Sequence, residues 1–171
     1  MKKTKSKFKT GTLFWITGLS GSGKTTIADN IKKEISRKYG PTIIISGDEL
    51  RKLFNFNKFS RKARLNYALS YSKFCKHITD QKINVIISTV SLFHKVRNWN
   101  KLNIKKYVEI YVKSEISILL KKKKKFFYRG NYKNIIGKNI KAEFPKNPDI
   151  VIKNDFKKSL KTLSKELLKK I

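Results

Sequence analysis

Short runs rich in β-branched and aromatic residues alternate along this chain with longer stretches in which apolar side chains recur every three or four positions. The runs Thr12–Thr17, Thr42–Ser46, Asn84–Thr89, Tyr107–Val112 and Asp149–Ile152 predict strands. Two of them, through Ile43-Ile44-Ile45 and Val85-Ile86-Ile87, are continuously apolar, which suits strands covered on both faces. The helical periodicity predicts helices over 24–38, 48–54, 61–80, 91–101, 114–124 and 156–170. In the last of these, Leu160, Leu163, Leu167 and Ile171 share one face, which should pack on a sheet. Strand and helix in alternation form βαβ units, so the pattern predicts an α/β fold around a five-stranded parallel sheet. No internal repeat or interdomain linker interrupts it. Residues 1–10 read as a basic N-terminal tail and residues 11–171 as a single domain.

Composition narrows the picture. A chain of 171 residues can bury one real core but not two. With 39% hydrophobic and 12% aromatic residues, disorder is excluded as the default. No apolar run approaches the length of a membrane span, and Met1–Lys9 lacks the apolar segment of a secretory signal. The one cysteine, Cys75, has no internal disulfide partner and reads as an inert buried thiol. These features together predict a cytoplasmic protein with no membrane contact.

Charge pulls in a different direction. Forty-two Lys and Arg against eleven Asp and Glu give a formal +31. Such a field is the footprint of a polyanion partner, or else the mark of a lysine-rich composition without a dedicated partner. The lysines are spread along the whole chain and no nucleic-acid-binding signature accompanies them, which disfavours nucleic acid as a partner. A small anionic substrate would still be steered towards its site.

The sharpest chemical signal is Gly18-Leu19-Ser20-Gly21-Ser22-Gly23-Lys24-Thr25, with Thr26 next in line. It matches G-x-x-x-x-G-K-[ST] at every fixed position, after an expected strand and before an expected helix. Glycines let backbone N–H groups turn around phosphate oxygens, and the following helix offers its positive end. Lys24 is placed to reach the β- and γ-phosphates, and the Thr25 hydroxyl to ligate Mg²⁺. The motif therefore predicts a P-loop NTPase fold binding ATP with Mg²⁺, without saying which chemistry follows. A second candidate lies at the carboxyl end of Thr42–Ser46, where open α/β sheets bind ligands. There Asp48 could take a proton from an attacking hydroxyl or orient the metal, and Arg51 could hold an acceptor phosphate. The plainer alternative is a helix N-cap at Asp48 and a surface Arg51.

Phe14 through Ala28 closely resembles the opening of adenylylsulfate kinases, P-loop enzymes that phosphorylate the 3′-hydroxyl of adenosine 5′-phosphosulfate with MgATP. Four further blocks follow in the same order. Ser46-Gly47-Asp48-Glu49-Leu50-Arg51 is similar to D-G-D-N-[IV]-R, and Phe59-Ser60 with Arg64 is similar to G-F-S-x-x-D-R. Ile87-Ser88-Thr89-Val90-Ser91 resembles the strand end before I-S-P-Y-R, and Gly137 through Pro148 is similar to the family's G-[IV]-D-x-P-[YF]-E-x-P-x-N-P stretch. The resemblance implies a three-layer α/β/α sandwich with a helical lid. It makes Asp48 the base or metal-orienting carboxylate, Arg51 and Arg64 acceptor clamps, Phe59 a surface for the acceptor base, and Ser91 an acceptor-side group. The five-lysine run Lys121–Lys125 would lead into the lid, so that Lys122 or Lys125 could stabilise the transferring phosphoryl group. A solvated face is the alternative for either lysine.

Departures from the family pattern fall mostly on the acceptor side. Ser46 and Glu49 replace its first Asp and its Asn, Ala63 stands for an Asp, and Tyr67 for an Asn. Leu69-Ser70 replaces an Arg pair, Leu92-Phe93-His94 replaces P-Y-R, and Ile135 stands near the place of a second stacking aromatic. His94 is either a helix-surface residue or an acceptor contact in the slot of the family's Arg, while His77 reads as structural. The donor side is intact and the acceptor side has drifted, which points to a different base, a different 5′ group, or both. That drift resembles the branch of the family in bacterial capsule phosphoramidate pathways, which phosphorylates the 3′-hydroxyl of cytidine diphosphoramidate. A small-molecule nucleotide substrate is thus expected, with adenylylsulfate as the alternative acceptor; a homodimer is compatible with the sequence. A nucleic-acid-binding P-loop protein is the rival of another class. A regulatory protein that has lost catalysis is argued against by Lys24, Thr25 and Asp48.

Overall fold

The computed structural model describes residues 10–121 and 133–171. Five strands form one parallel sheet: β1 (Leu13–Thr17), β2 (Thr42–Ser46), β3 (Asn84–Thr89), β4 (Tyr107–Lys113) and β5 (Ile150–Lys153), in the order β2-β3-β1-β4-β5. Between and after them run α1 (Lys24–Tyr39), α2 (Gly47–Leu53), α3 (Arg61–Asp80), α4 (His94–Asn103), α5 (Ile116–Lys121) and α6 (Leu160–Leu168). The expected tail lies outside the described residues except for Thr10, and so do the continuation of the 114–124 helix beyond Lys121, Lys122, Lys125 and the rest of the expected lid segment to 132.

Side-chain alternation on β1 builds the two halves of the core. Leu13 and Trp15 point to one face and Phe14 and Ile16 to the other, all fully buried. The first face, with Val85 and Ile87 of β3, meets Ala68, Tyr71 and Cys75 of α3 and Val96 of α4. The second, with Ile86, Ile110 and Val112, meets Ile27, Ile31 and Ile35 of α1 and Leu163 and Leu167 of α6. The result is the three-layer α/β/α sandwich expected from the sequence. Cys75 is buried in the first layer, and burial pushes its thiol up to about 12.

Three boundaries differ from the sequence expectation. β2 is half-buried along its whole length although it reads as a continuous apolar run, because it pairs only with β3 and forms a sheet edge. α4 begins at His94 rather than 91: Phe93 stays extended, and the His94 N–H donates to Glu143 Oε2 at 2.6 Å. α6 begins at Leu160 rather than 156. Ahead of it the Phe156 N–H donates to Asn154 Oδ1 with Phe156 at a φ of 63°, and Ser159 caps the helix by accepting from the Thr162 N–H.

Beneath α4 lies a buried ion pair. Arg97 Nε sits 3.1 Å from Glu109 Oε1 on β4, with 4% and 2% of their side chains exposed. Burial raises the Glu109 carboxyl above its ordinary range, and Arg97 opposes that shift. Breaking such a pair leaves the buried Glu109 with only the more exposed Lys101, 3.6 Å away, to offset its charge. Arg97→Met should therefore lower stability by roughly 3–5 kcal/mol in denaturant titration. The double change Arg97→Met with Glu109→Met should recover most of that loss.

Candidate active site

β1 ends at Thr17 and α1 starts at Lys24, and the glycine-rich turn between them is fixed from three sides. A Cβ on Gly18 would lie 2.4 Å from the Val112 carbonyl oxygen, so β4 leaves no room for a side chain there. Gly23 caps α1 at a φ of 93°, and a Cβ there would meet Leu160 at 2.6 Å. Asn154, itself buried, donates from its amide to the Ser22 carbonyl at 2.9 Å. Lys24 is buried and donates from Nζ to the Leu19 carbonyl at 2.7 Å, bending its side chain back over the turn. The Leu19 side chain is core, so that residue can serve a ligand only through its backbone.

Above the carboxyl ends of β1, β2 and β3 opens a cleft of about 340 Å³. Ser20, Gly21, Gly23, Lys24, Thr25 and Thr26 line its donor side. Ser46, Gly47, Asp48, Arg51 and Arg64 line the opposite side, and Ser91 lines its base. The structure thus brings the phosphate loop and the residues that the sequence singled out for the acceptor, Asp48, Arg51, Arg64 and Ser91, to one cavity. Thr25 Oγ1 lies 3.3 Å from Ser88 Oγ. Hydroxyl and carboxylate oxygens are hard ligands, so Thr25 and Asp48 fit Mg²⁺ brought with a nucleotide.

The acceptor side shows how the departures from the family pattern fit together. Ser46, not Asp48, is the N-cap of α2: its Oγ accepts from the Glu49 N–H at 3.1 Å, and its own N–H donates to Glu49 Oε2 at 2.6 Å. Ser46 and Glu49, both departures, form a reciprocal capping box. Asp48 is therefore free of the capping role; its side chain is 86% exposed and pairs with Arg51 at 2.5 Å. Gly47 packs so tightly on Thr89 that a Cβ would lie 2.8 Å from Thr89 Oγ1, and its carbonyl accepts from the Tyr71 hydroxyl. Arg64 donates to the carbonyls of Phe59 and Asn134, each at 2.9 Å, and burial lowers its pKa. The Ser91 hydroxyl is buried with no hydrogen-bond partner among the described residues.

Phe59 and His94 are placed elsewhere. Phe59 is 44% exposed, off the cleft lining, with the guanidinium groups of Arg51 and Arg64 each 5.2 Å from its ring centre. His94 faces a second hollow beside Arg97, Lys101 and Glu109, with its Nδ1 2.6 Å from Arg97 Nη2. Burial and the Arg97 charge lower its pKa. Residue-by-residue reading missed the aromatic group behind the acceptor side: Tyr67 and Tyr71 line the cleft, and Phe56 stacks on Tyr67. The spacing of Tyr67, Tyr71 and Phe74 along α3 was a signal for it, but one shared with any buried helix face.

A parallel sheet in this order with a glycine-rich loop, a lysine and a threonine at the head of α1 defines a P-loop kinase. The family model for adenylylsulphate kinase matches residues 10–153, and the chain belongs to that family. It is 32% identical over 163 residues to the cytidine diphosphoramidate kinase of Campylobacter jejuni, covering 93% of this chain and 95% of the relative. It is 30% identical over 148 residues to a probable adenylyl-sulfate kinase of Archaeoglobus fulgidus, covering 84% of this chain and 96% of the relative. Among solved structures, the Mycobacterium tuberculosis APS kinase in complex with AMPPNP and APS superposes with a TM-score of 0.83 at 22% identity, over 95% of this chain and 98% of that one. That likeness is one of fold. No helix among the described residues is long and apolar enough to cross a membrane.

The capping box carries a pH signature. Its hydrogen bonds hold the Glu49 carboxyl below the usual range. A depressed folded-state pKa gives stability that is present above the unfolded value and lost as pH falls through the folded one. Ser46→Ala should cost about 1 kcal/mol at neutral pH. Denaturation at a series of pH values should show that cost persisting, whereas the cost of Glu49→Gln, which removes the carboxylate that accepts from the Ser46 N–H, should shrink below about pH 4 as Glu49 protonates in the wild type.

Proposed function

We propose that this protein is an ATP-dependent kinase that transfers the γ-phosphate to the ribose 3′-hydroxyl of a nucleotide conjugate, with cytidine diphosphoramidate as the acceptor. The observation that carries the reading is the match to the Campylobacter jejuni cytidine diphosphoramidate kinase along nearly the whole of both chains. The intact phosphate loop beside a changed acceptor side supports it. Adenylylsulfate is the second reading, favoured by the family match itself.

In this mechanism the backbone of Gly18–Thr25 and Lys24 hold the donor phosphates, Thr25 would hold Mg²⁺, and Asp48 would orient it through water. Bound there with ATP, the metal would neutralise charge on the phosphates. Asp48 orients the 3′-hydroxyl and receives its proton as the new O3′–P bond forms and the bond to the β–γ bridging oxygen breaks, releasing ADP. Arg51 and Arg64 hold the acceptor's 5′ anionic group, and the Ser91 hydroxyl, without a partner among the described residues, would offer it a further hydrogen bond. Phe59, off the cleft lining and against both guanidinium groups, would back the two arginines. Lys122 and Lys125 would close over the transferring group. His94 has no part in this scheme, given its place beside Arg97. Catalysis is then chiefly positioning and electrostatics. The reading puts the enzyme in the cytoplasm, where ATP is available.

Two measurements test it. Asp48→Asn should lower kcat by about 100-fold or more while ATP affinity changes little, as expected for a group acting on the reacting hydroxyl; near-normal turnover would remove Asp48 from the mechanism. In a panel of cytidine diphosphoramidate, adenylylsulfate, CDP and ADP with ATP as donor, cytidine diphosphoramidate should give the highest kcat/KM. A clear preference for adenylylsulfate would overturn the assignment.

A further inference from the structure

The acceptor half of the cleft carries an aromatic surface that the family resemblance does not supply. Arg64, Tyr67, Ala68 and Tyr71 stand at i, i+3, i+4 and i+7 on α3, and all four line the cleft. The Tyr67 ring lies flat on Phe56, with ring centres 4.1 Å apart and planes 4° from parallel. Its hydroxyl accepts from the Lys58 N–H at 3.2 Å, so the ring is held both by its face and by its tip.

The other aromatic positions of the acceptor slot are spoken for. Ile135, near the place of a second stacking aromatic, is 9% exposed and packs with Ile136 and Ile140 in the core. Tyr71 is 5% exposed, so little of its ring is open to the cleft, and its hydroxyl donates to the Gly47 carbonyl at the start of α2. Phe156, also on the lining, comes from the connection that clamps the phosphate loop through Asn154 and so belongs to the donor side. Tyr67 is left as the rigid aromatic wall next to Arg64.

We propose that Tyr67, braced by Phe56, is the surface against which the acceptor base packs, and that it sizes the slot for a single-ring base. The inference rests on the nucleotide-acceptor reading above and adds a specificity-determining residue to it. Every base has a π-face that stacks on an aromatic side chain, and a ring already fixed in place loses little freedom when a base settles on it. Size gives the direction of the preference. The cleft's volume of about 340 Å³ lies near the lower end of small-molecule sites, about 300–1,000 Å³, and must also admit the donor's phosphates. A braced phenol cannot retreat to make room for a second ring.

CDP and ADP, which share a 5′ group and differ in base, are the probes, assayed as acceptors on the full chain with ATP saturating to keep the donor site filled. Wild type should prefer CDP. Tyr67→Leu, which retains apolar bulk without the ring face, should raise the KM for CDP about tenfold or more, a loss in the range of one base–aromatic stack. The KM for ATP should stay within about threefold, and the CDP-to-ADP ratio should fall towards one. Tyr67→Phe should rescue the CDP KM. An unchanged CDP KM in Tyr67→Leu overturns the role of Tyr67 while leaving the cytidine reading standing. Loss in Tyr67→Phe equal to that in Tyr67→Leu overturns it too, by assigning the effect to the hydroxyl contact with Lys58. Wild-type preference for ADP, or no transfer to either acceptor, overturns the inference and the cytidine reading together. If Tyr67→Leu does not fold, Phe56→Leu removes the brace, along with the Phe56 ring contacts to Phe54 and Tyr71, and should raise the same KM; no change there sinks the proposal.

Discussion

The phosphate loop depends on backbone being packed against backbone where no side chain can enter. Gly18 touches β4 through the Val112 carbonyl, Gly23 touches α6 through Leu160, and the Asn154 amide holds the Ser22 carbonyl from the end of β5. β4, β5 and α6 are all distant in sequence from the loop they shape. They hold it because β1 lies at the centre of a parallel sheet, paired with β3 on one side and β4 on the other. Parallel strands bring their carboxyl ends to one edge, so the turn after β1 and the starts of α2 and α4 meet there. Lys24, its side chain bent back to the Leu19 carbonyl, completes the loop.

A second organising point is Glu143, outside any helix or strand. Its carboxylate pairs with Arg61 at the head of α3 and accepts from the His94 N–H at the head of α4, and its carbonyl accepts from Arg97 at 2.6 Å. Its own N–H donates to the Leu92 carbonyl. One residue thus anchors the start of α3, which carries Arg64 and Tyr67 of the cleft, and the start of α4. Its carboxyl is held below the usual range by these hydrogen bonds, against the opposing effect of burial. The same contacts account for His94, drawn to Arg97 and away from the cleft.

The acceptor side differs from the family pattern in a coordinated way. Ser46 and Glu49 together exchange a carboxylate and an amide for a helix cap. Tyr67 exchanges an amide for a ring, and Phe56 supplies the surface on which that ring rests. Each departure looks like a loss when read singly along the chain. In space they replace polar groups with a firm cap and an aromatic wall, and Arg51, Arg64 and Asp48 stay at the cleft between them.

The sequence by itself determined the strands, the helices and the phosphate loop, because these rest on local signals. Apolar periodicity marks the elements, and the spacing of Gly18, Gly23, Lys24 and Thr25 marks the loop. Ordered motifs also singled out Asp48, Arg51, Arg64 and Ser91, which line one cleft in the structure. Only the tertiary structure decided that β2 is an edge, since sheet order is not written in any one strand. It alone decided that Asp48 is not the cap of α2, because Ser46 and Glu49 satisfy that end first. It also set Tyr67 on the cleft and His94 off it. Those two outcomes turn on what each side chain meets across the fold, Phe56 in one case and Arg97 in the other, and such partners lie outside the reach of spacing along the chain.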